Sequence, residues 1–297
     1  DGSWGVNGGL GNNRVAMTSL AGLAFLAHGD TPAQGRYAVR VAKAVEYVLS
    51  CANPHNGLIC DPSGGSQMHE HGYAMLFLAQ AHGTHPSQRT NEKIRTVLGK
   101  SVELTSRSQS DLGGWLYTPD SSGHEGSVTV TQIEGLRAAK DAGIYVNKQV
   151  ISKAIHFMKV SQNPDGSIAY MPPARGIGTP ALTAAGIAVM YNAGEFNKDT
   201  TPIIEKCQKF IEISMKNASV ESIDQGHKFY THLYLSQSMF LAGGKHWNKY
   251  FPKMRKHLLE TQSKEGAWHG NVGPSFDTAV ACFILQIPYR YLPILQK

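Results

Sequence analysis

The sequence predicts an all-α protein built from stacked pairs of helices, and three observations carry that prediction. A short turn motif recurs at a nearly constant interval along the 297 residues. Between its copies lie two kinds of segment, one small and apolar, the other amphipathic. Strand-like alternation is nowhere sustained.

The turns are Asp1-Gly-Ser-Trp4, Asn56-Gly-Leu58, Gly113-Gly-Trp115, Asp165-Gly-Ser-Ile168 and Glu265-Gly-Ala-Trp268. Their glycines, Gly2, Gly57, Gly113, Gly166 and Gly266, are separated by 55, 56, 53 and 100 residues. The last interval is two periods, so a degenerate copy is expected near residues 216–226, where Asn217 to Gly226 is polar but holds no Gly-x-Trp. A period of about 50 residues marks stacked supersecondary units. They form one domain over 1–297, with units at approximately 1–54, 55–110, 111–164, 165–218, 219–264 and 265–297.

Each unit reads as two helices. Thr18 to His28, Glu70 to Ala81, Thr131 to Ala142, Ala181 to Ala193, Thr231 to Gly243 and Thr278 onward are rich in Ala and Gly and apolar almost all round. That is the pattern of helices buried among other helices, an inner layer. Val41 to Cys51, Ile94 to Thr105, Ile151 to Val160, Ile203 to Met215 and Phe251 to Thr261 are amphipathic and form an outer layer. In the third of these, Ile151, Ala154, Ile155 and Met158 share one stripe while Lys153 and Lys159 point away. Gly29, Gly83, Gly143, Gly194 and Gly243 stand where inner helices end, and Pro202 and Pro252 where two outer ones begin. Six inner and five outer helices joined by short loops either run open or close on themselves.

The composition, 41% hydrophobic and 17% charged, supports a core and excludes a disordered chain. No apolar stretch approaches the roughly 18 residues of a membrane span. The net charge of +6 comes from scattered Lys and Arg, which argues against a nucleic-acid partner. Cys51, Cys60, Cys207 and Cys282 are too few for a disulfide scaffold, and only Cys51 and Cys60 are close enough to bridge a loop in an oxidising compartment. The compartment itself stays open, a secreted or periplasmic location being among the options.

A glutamine precedes three turns at constant distance: Gln109-x3-Gly113-x-Trp115, Gln162-x3-Gly166-x-Ile168 and Gln262-x3-Gly266-x-Trp268. This pattern resembles the QW repeat of squalene and oxidosqualene cyclases, shared more loosely by protein prenyltransferase β subunits. The resemblance implies a closed α/α toroid with inner helices around a central cavity. It also implies a sixth outer helix before Asp1. The turn Gln162-Asn-Pro-Asp-Gly166 and the tail Tyr289-Arg-Tyr-Leu-Pro293 are similar to bacterial toroid-repeat proteins of unassigned activity. In the toroid the Gln amide is expected to satisfy orphan backbone groups and the Trp to stack over the turn.

Aligning the inner helices on their terminal glycines gives a layer of Thr18, Gly72, Gln132, Thr183, His232 and Thr278, next to one of Met17, His71, Thr131, Leu182, Thr231 and Asp277. Polar groups thus collect near the helix N-termini, the expected cavity mouth, either as ligand-binding groups or as ordinary caps. His69 and His71, two apart on a helix, cannot share one ion. One of the two with His232 and Asp277 across the cavity makes the candidate zinc site, and convergence of His71, His232 and Asp277 the candidate catalytic set, in which His232 and Asp277 take acid or ligand roles. Tyr73, Tyr230 and Tyr234, with Gln132 and Thr183, complete the ligand-binding candidates.

The resemblance also subtracts. The Asp-x-Asp-Asp acid of squalene-hopene cyclases and the Cys-Gly-Glu-Gln of complement thioester domains are absent. Phe229-Tyr230-Thr231-His232-Leu233-Tyr234 is similar to the prenyltransferase Phe-Tyr-His-x-x-Tyr segment with its His displaced by one, and the preceding inner helix offers neither Asp nor Cys. No Gly-x-Ser-x-Gly elbow or P-loop occurs, and Gly8-Gly-Leu-Gly11 follows a turn and not a strand, so it reads as loop. The leading expectation is therefore a toroid that binds an apolar molecule, a glycan or a peptide. The alternative is an enzyme acting in the cavity on an isoprenoid, or on a polysaccharide with acids such as Glu70, Glu134 and Asp277.

Overall fold

The structure is a computed structural model that describes residues 1–5, 12–172, 176, 178–192, 200–223 and 225–296. The glycine-rich segment 8–11 and the helix end at Gly194 lie outside the described residues. Eleven α-helices follow one another among the described residues: α1 (Arg14–His28), α2 (Ala38–Ser50), α3 (Gln67–Ala81), α4 (Gln88–Arg107), α5 (Gly126–Asp141), α6 (Lys148–Val160), α7 (Pro180–Asn192), α8 (Thr201–Asn217), α9 (Lys228–Ala242), α10 (Gly244–Thr261) and α11 (Pro274–Gln286). The odd-numbered helices each pack against their odd-numbered neighbours, and α1 against α11 closes the ring. The even-numbered helices lie outside, each against the inner helix of its own pair. The fold is a closed α/α toroid of six inner and five outer helices.

The layers follow from side-chain pattern. In α1 every residue from Val15 to Ala24 is buried, as befits a helix enclosed by others. On α6 the stripe Ala154, Ile155 and Met158 is buried with Val150 and Phe157, while Ile151 is only half-buried. At the tightest crossing Gly72 of α3 and Gly135 of α5 face each other. A β-carbon on Gly72 would overlap Thr131, and one on Gly135 would crowd Met75 and the Gly72 carbonyl.

The turns lock each pair to the next. The five turn glycines all have positive φ, from 81° at Gly57 to 101° at Gly113. Four of them, Gly2, Gly57, Gly113 and Gly166, lie against the backbone of Lys43, Lys100, Lys153 and Lys206 on the following outer helix. Gln109 Nε2 donates both to Gly113 O and to Val150 O of α6 at 2.9 Å, and Gln162 Nε2 reaches Ile203 O of α8 at 2.9 Å. The indoles do more than stack: Trp115 Nε1 donates to Thr105 O (2.7 Å) and Trp268 Nε1 to Leu258 O (2.8 Å), each capping the outer helix ten residues upstream. The degenerate copy is the turn between α8 and α9, where Val220 and Ile223 are buried.

Two boundary expectations fail. The inner helices begin earlier than the pattern indicates, α1 at Arg14 and α5 at Gly126, the latter because its first turn, Gly126-Ser-Val-Thr129, carries no apolar run. Pro252 does not start α10 but lies inside it. The helix begins at Gly244 because Trp247 anchors its first turns, stacked on Phe251 at 4.5 Å and edge-on to Phe240 at 5.1 Å.

Beyond α11 the chain crosses one end of the ring. Leu292, Ile294 and Leu295 are buried there, the turn Pro293–Leu295 packs on α5 and α9, and Ile294 N donates to Gln80 Oε1 of α3 at 3.4 Å. Each inner helix is separated from the next by a returning outer helix, so all six inner N-termini face the opposite end.

Candidate functional site

The polar layer read from the sequence is a set of latches between turns and helices. Trp4 N donates to Thr18 Oγ1 (2.9 Å), Trp115 N to Thr129 Oγ1 (3.0 Å), Ile168 N to Thr183 Oγ1 (3.0 Å) and Trp268 N to Thr278 Oγ1 (3.1 Å). His71 does the same work in the second unit. Its Nδ1 accepts from Ile59 N at 3.1 Å, so Nε2–H donates toward Thr105 Oγ1 at 3.1 Å. His232 is held likewise: Nε2–H donates to Val220 O at 2.8 Å and Nδ1 accepts from the Tyr250 hydroxyl at 2.9 Å. Burial holds both imidazoles neutral, pushed down to about 4.

The remaining candidates are also engaged. Asp277 Oδ2 accepts from Gly270 N and Gly273 N, shaping the loop before α11, while its Oδ1 is buried without a partner. Gln132 Nε2 donates to Met68 O at 2.7 Å. Glu70 takes Val15 N on one oxygen and Asp61 N on the other, pinning α1 to the second turn, and burial raises it to about 7. The structure therefore does not bring His71, His232 and Asp277 together. Among the described residues no three His, Cys, Asp or Glu side chains group as metal ligands.

What meets inside the ring is a tyrosine and glutamate cluster. Tyr73 of α3 and Tyr234 of α9 join hydroxyl to hydroxyl at 3.1 Å, and the Tyr230 ring stands edge-on to Tyr234 at 5.1 Å. Glu134 of α5 is fully buried beside Gln237 of α9, and burial raises its carboxyl to about 8, so it is protonated at neutral pH. Glu134 Oε1 and the Tyr230 hydroxyl are buried with no protein partner. Burial holds the Tyr230 hydroxyl well above its ordinary value, so it stays protonated. A group of this kind donates hydrogen bonds, or a proton, to a hydroxylated ligand.

At the mouth Tyr117 and Tyr170, each 38% exposed, meet hydroxyl to hydroxyl near Glu125. Glu125 is the N-cap of α5, accepting from Ser127 N and Val128 N. Neither tyrosine was a sequence candidate, although the signal exists. Each stands two residues after the Trp or Ile of its turn, as Trp115-Leu-Tyr117 and Ile168-Ala-Tyr170.

The ring and its tyrosine-lined interior define an α/α toroid with a polar central site. No protein-family model matches the chain, and no curated protein matches it. Solved structures do. Cellobiose 2-epimerase from Spirochaeta thermophila superposes over 93% of this chain and 86% of its own, at 10% identity and a TM-score of 0.67. The α-1,6-mannanase of glycoside hydrolase family 76 from a Salegentibacter species superposes over 96% and 92%, at 10% identity and a TM-score of 0.68. A protein from Actinoplanes superposes over 100% and 94%, at 14% identity and a TM-score of 0.61. An inactive variant of the mannanase, with two consecutive aspartates replaced, is in complex with α-1,6-mannotriose. The present chain contains no two consecutive acidic residues.

Proposed function

We propose that this protein is a carbohydrate-active toroid that takes a neutral glycan into the ring from the end where the inner helices begin. The observation that carries this reading is the pair of unpartnered buried groups, Glu134 Oε1 and the Tyr230 hydroxyl, beside the Tyr73–Tyr234 bond. Such groups cost free energy unless a ligand or water takes them up. Tyrosine faces suit the apolar faces of sugar rings, while Glu134 and Tyr230 suit their hydroxyls. The similarity of the ring to a mannanase and an epimerase supports the same ligand class. The enzyme reading is thereby preferred to the binding toroid without chemistry, with Glu134 as the proton donor. No consecutive aspartates stand in the chain, so the reaction rests on a different acid set from that of the mannanase. The likeness of the turns to cyclases and prenyltransferases reflects shared toroid construction and not isoprenoid chemistry.

The test is calorimetric titration of the full chain with α-1,6-mannotriose, cellobiose and a panel of neutral oligosaccharides, with chromatographic analysis of products. Binding that is lost in Glu134→Gln and Tyr230→Phe, with helical circular dichroism retained, supports the reading. Binding without any product leaves the carbohydrate-binding toroid. Absence of binding to every sugar at millimolar concentration overturns both.

A further inference from the structure

Ser66, at the N-cap of α3, does not cap its helix. Ser87, in the same position on α4, accepts from Thr90 N, whereas Ser66 makes no side-chain cap bond. Its hydroxyl lies 2.7 Å from His69 Nδ1. His69 Nε2 lies 3.1 Å from Ser127 Oγ, and Ser127 Oγ donates to the Glu125 carboxylate at 2.9 Å. The direction of every proton in this chain follows. A carboxylate only accepts, so the single Ser127 hydroxyl proton goes to Glu125, and Ser127 Oγ must accept from His69 Nε2–H. His69 Nδ1 is then a bare acceptor aimed at the Ser66 hydroxyl.

We infer that Ser66 is a nucleophile, His69 its general base and Ser127 with Glu125 the groups that orient the base, together forming a hydrolytic site for small carboxylic esters. A serine within reach of a base that a third group orients is the geometry that activates a hydroxyl. The surroundings complete it. Asn13 Oδ1 accepts from Ser66 N at 3.1 Å and fixes the serine backbone. The first-turn N–H groups of Gln67 and His69 have no carbonyl within their own helix and are the donors for an oxyanion, Met68 N being taken by Tyr117 O at 3.0 Å. Ser66 and His69 are half-buried, and the Tyr117 ring lies 5.8 Å from the imidazole, over the ring mouth.

The step balances on these residues and water alone. Ser66 Oγ adds to the ester carbonyl carbon while its proton passes to His69 Nδ1. Collapse of the adduct breaks the carbon–oxygen bond to the alcohol, which leaves with that proton and yields an acyl-serine. Water, deprotonated by His69, then releases the carboxylic acid and restores the serine. This activity stands independently of the proposed lumen acid Glu134, since no group of the relay is shared with it.

The experiment uses the full chain with p-nitrophenyl acetate as substrate and a fluorophosphonate as active-site label, mapped by peptide mass spectrometry. The expected result is turnover above the buffer rate, label on Ser66, and loss of both in Ser66→Ala. Ser127→Ala is expected to lower kcat by about a hundredfold with KM little changed, the mark of a positioning residue. Hydrolysis by the wild type no faster than by Ser66→Ala, or label on another residue, overturns the proposal. If Ser66→Ala does not fold, the wild-type label decides: an adduct on Ser66 supports the site and an unlabelled Ser66 overturns it.

Discussion

The hydroxyls of Tyr73 and Tyr234 meet at 3.1 Å from inner helices that stand three places apart in a ring of six, so the bond spans the toroid. Both side chains are buried, and each hydroxyl is the other's partner. Tyr73→Phe and Tyr234→Phe each leave one buried hydroxyl unpaired and should cost about 1–3 kcal/mol in urea unfolding. The double variant removes both polar groups together and should cost less than the sum of the singles. Additive losses would show that the two hydroxyls do not interact.

The turns make a ranked prediction, because the last one has no outer helix after it among the described residues. Gly113 has φ 101° and sits against the Lys153 carbonyl, whereas Gly266 has φ 83° and has no backbone packed on it. Both alanine substitutions carry the left-handed penalty of about 1–2 kcal/mol. Gly113→Ala must also push α6 away, so it is expected to destabilise clearly more. Gln109→Ala should likewise exceed Gln262→Ala, since Gln109 bridges to Val150 of α6 and, among the described residues, Gln262 Nε2 binds Gly266 O within its own turn. Equal denaturation midpoints within either pair would sink the argument.

Stability should fall on both sides of neutrality, for opposite reasons. His71 and His232 titrate near 4 in the folded chain against 6.5 unfolded, so the unfolded state binds more protons between those values. Their contribution is complete above pH 6.5 and is lost as pH falls through 4, at about 3 kcal/mol for each histidine. Glu134 runs the other way. Its folded value of about 8 exceeds the unfolded 4.5, so its contribution is complete below pH 4.5 and lost as pH rises through 8. Glu134→Gln should therefore flatten the decline between pH 5 and 8 and leave the acid side unchanged. An unaltered alkaline limb in urea midpoints would show that Glu134 is ionised in the fold.

The two-layer ring was legible because burial writes its period into the sequence: helices enclosed on all sides lose their polar face, as α1 and α7 do, and helices covered on one side keep it, as α6 does. The latches were half legible. Thr18, Thr183, Thr278, His71 and His232 were visible as polar residues in apolar helices, but a helix turns about 100° per residue, so the alignment that placed Gln132 in the layer missed Thr129. Whether such a residue faces the lumen or a turn depends on the backbone group opposite it, which belongs to another segment. Tyr117 and Tyr170 lie 53 residues apart in the chain, and only the stacking of α5 against α7 brings their two turns together beside Glu125.

That pair of tyrosines offers a test of where a glycan enters. Their rings are the half-exposed aromatic surface beside Glu125, while the opposite end of the ring is covered by Leu292, Ile294 and Leu295. If sugar enters past Tyr117 and Tyr170, its apolar faces pack on their rings, a contribution of about 1 kcal/mol for each ring. Tyr117→Ala and Tyr170→Ala should each weaken oligosaccharide binding about fivefold, while the Phe variants keep the ring and most of the affinity. Tyr289→Ala and Tyr291→Ala, both exposed in the tail near the far end, should leave binding unchanged. The reverse ranking in calorimetric titration would mean that the ligand reaches the ring from the end that the tail covers.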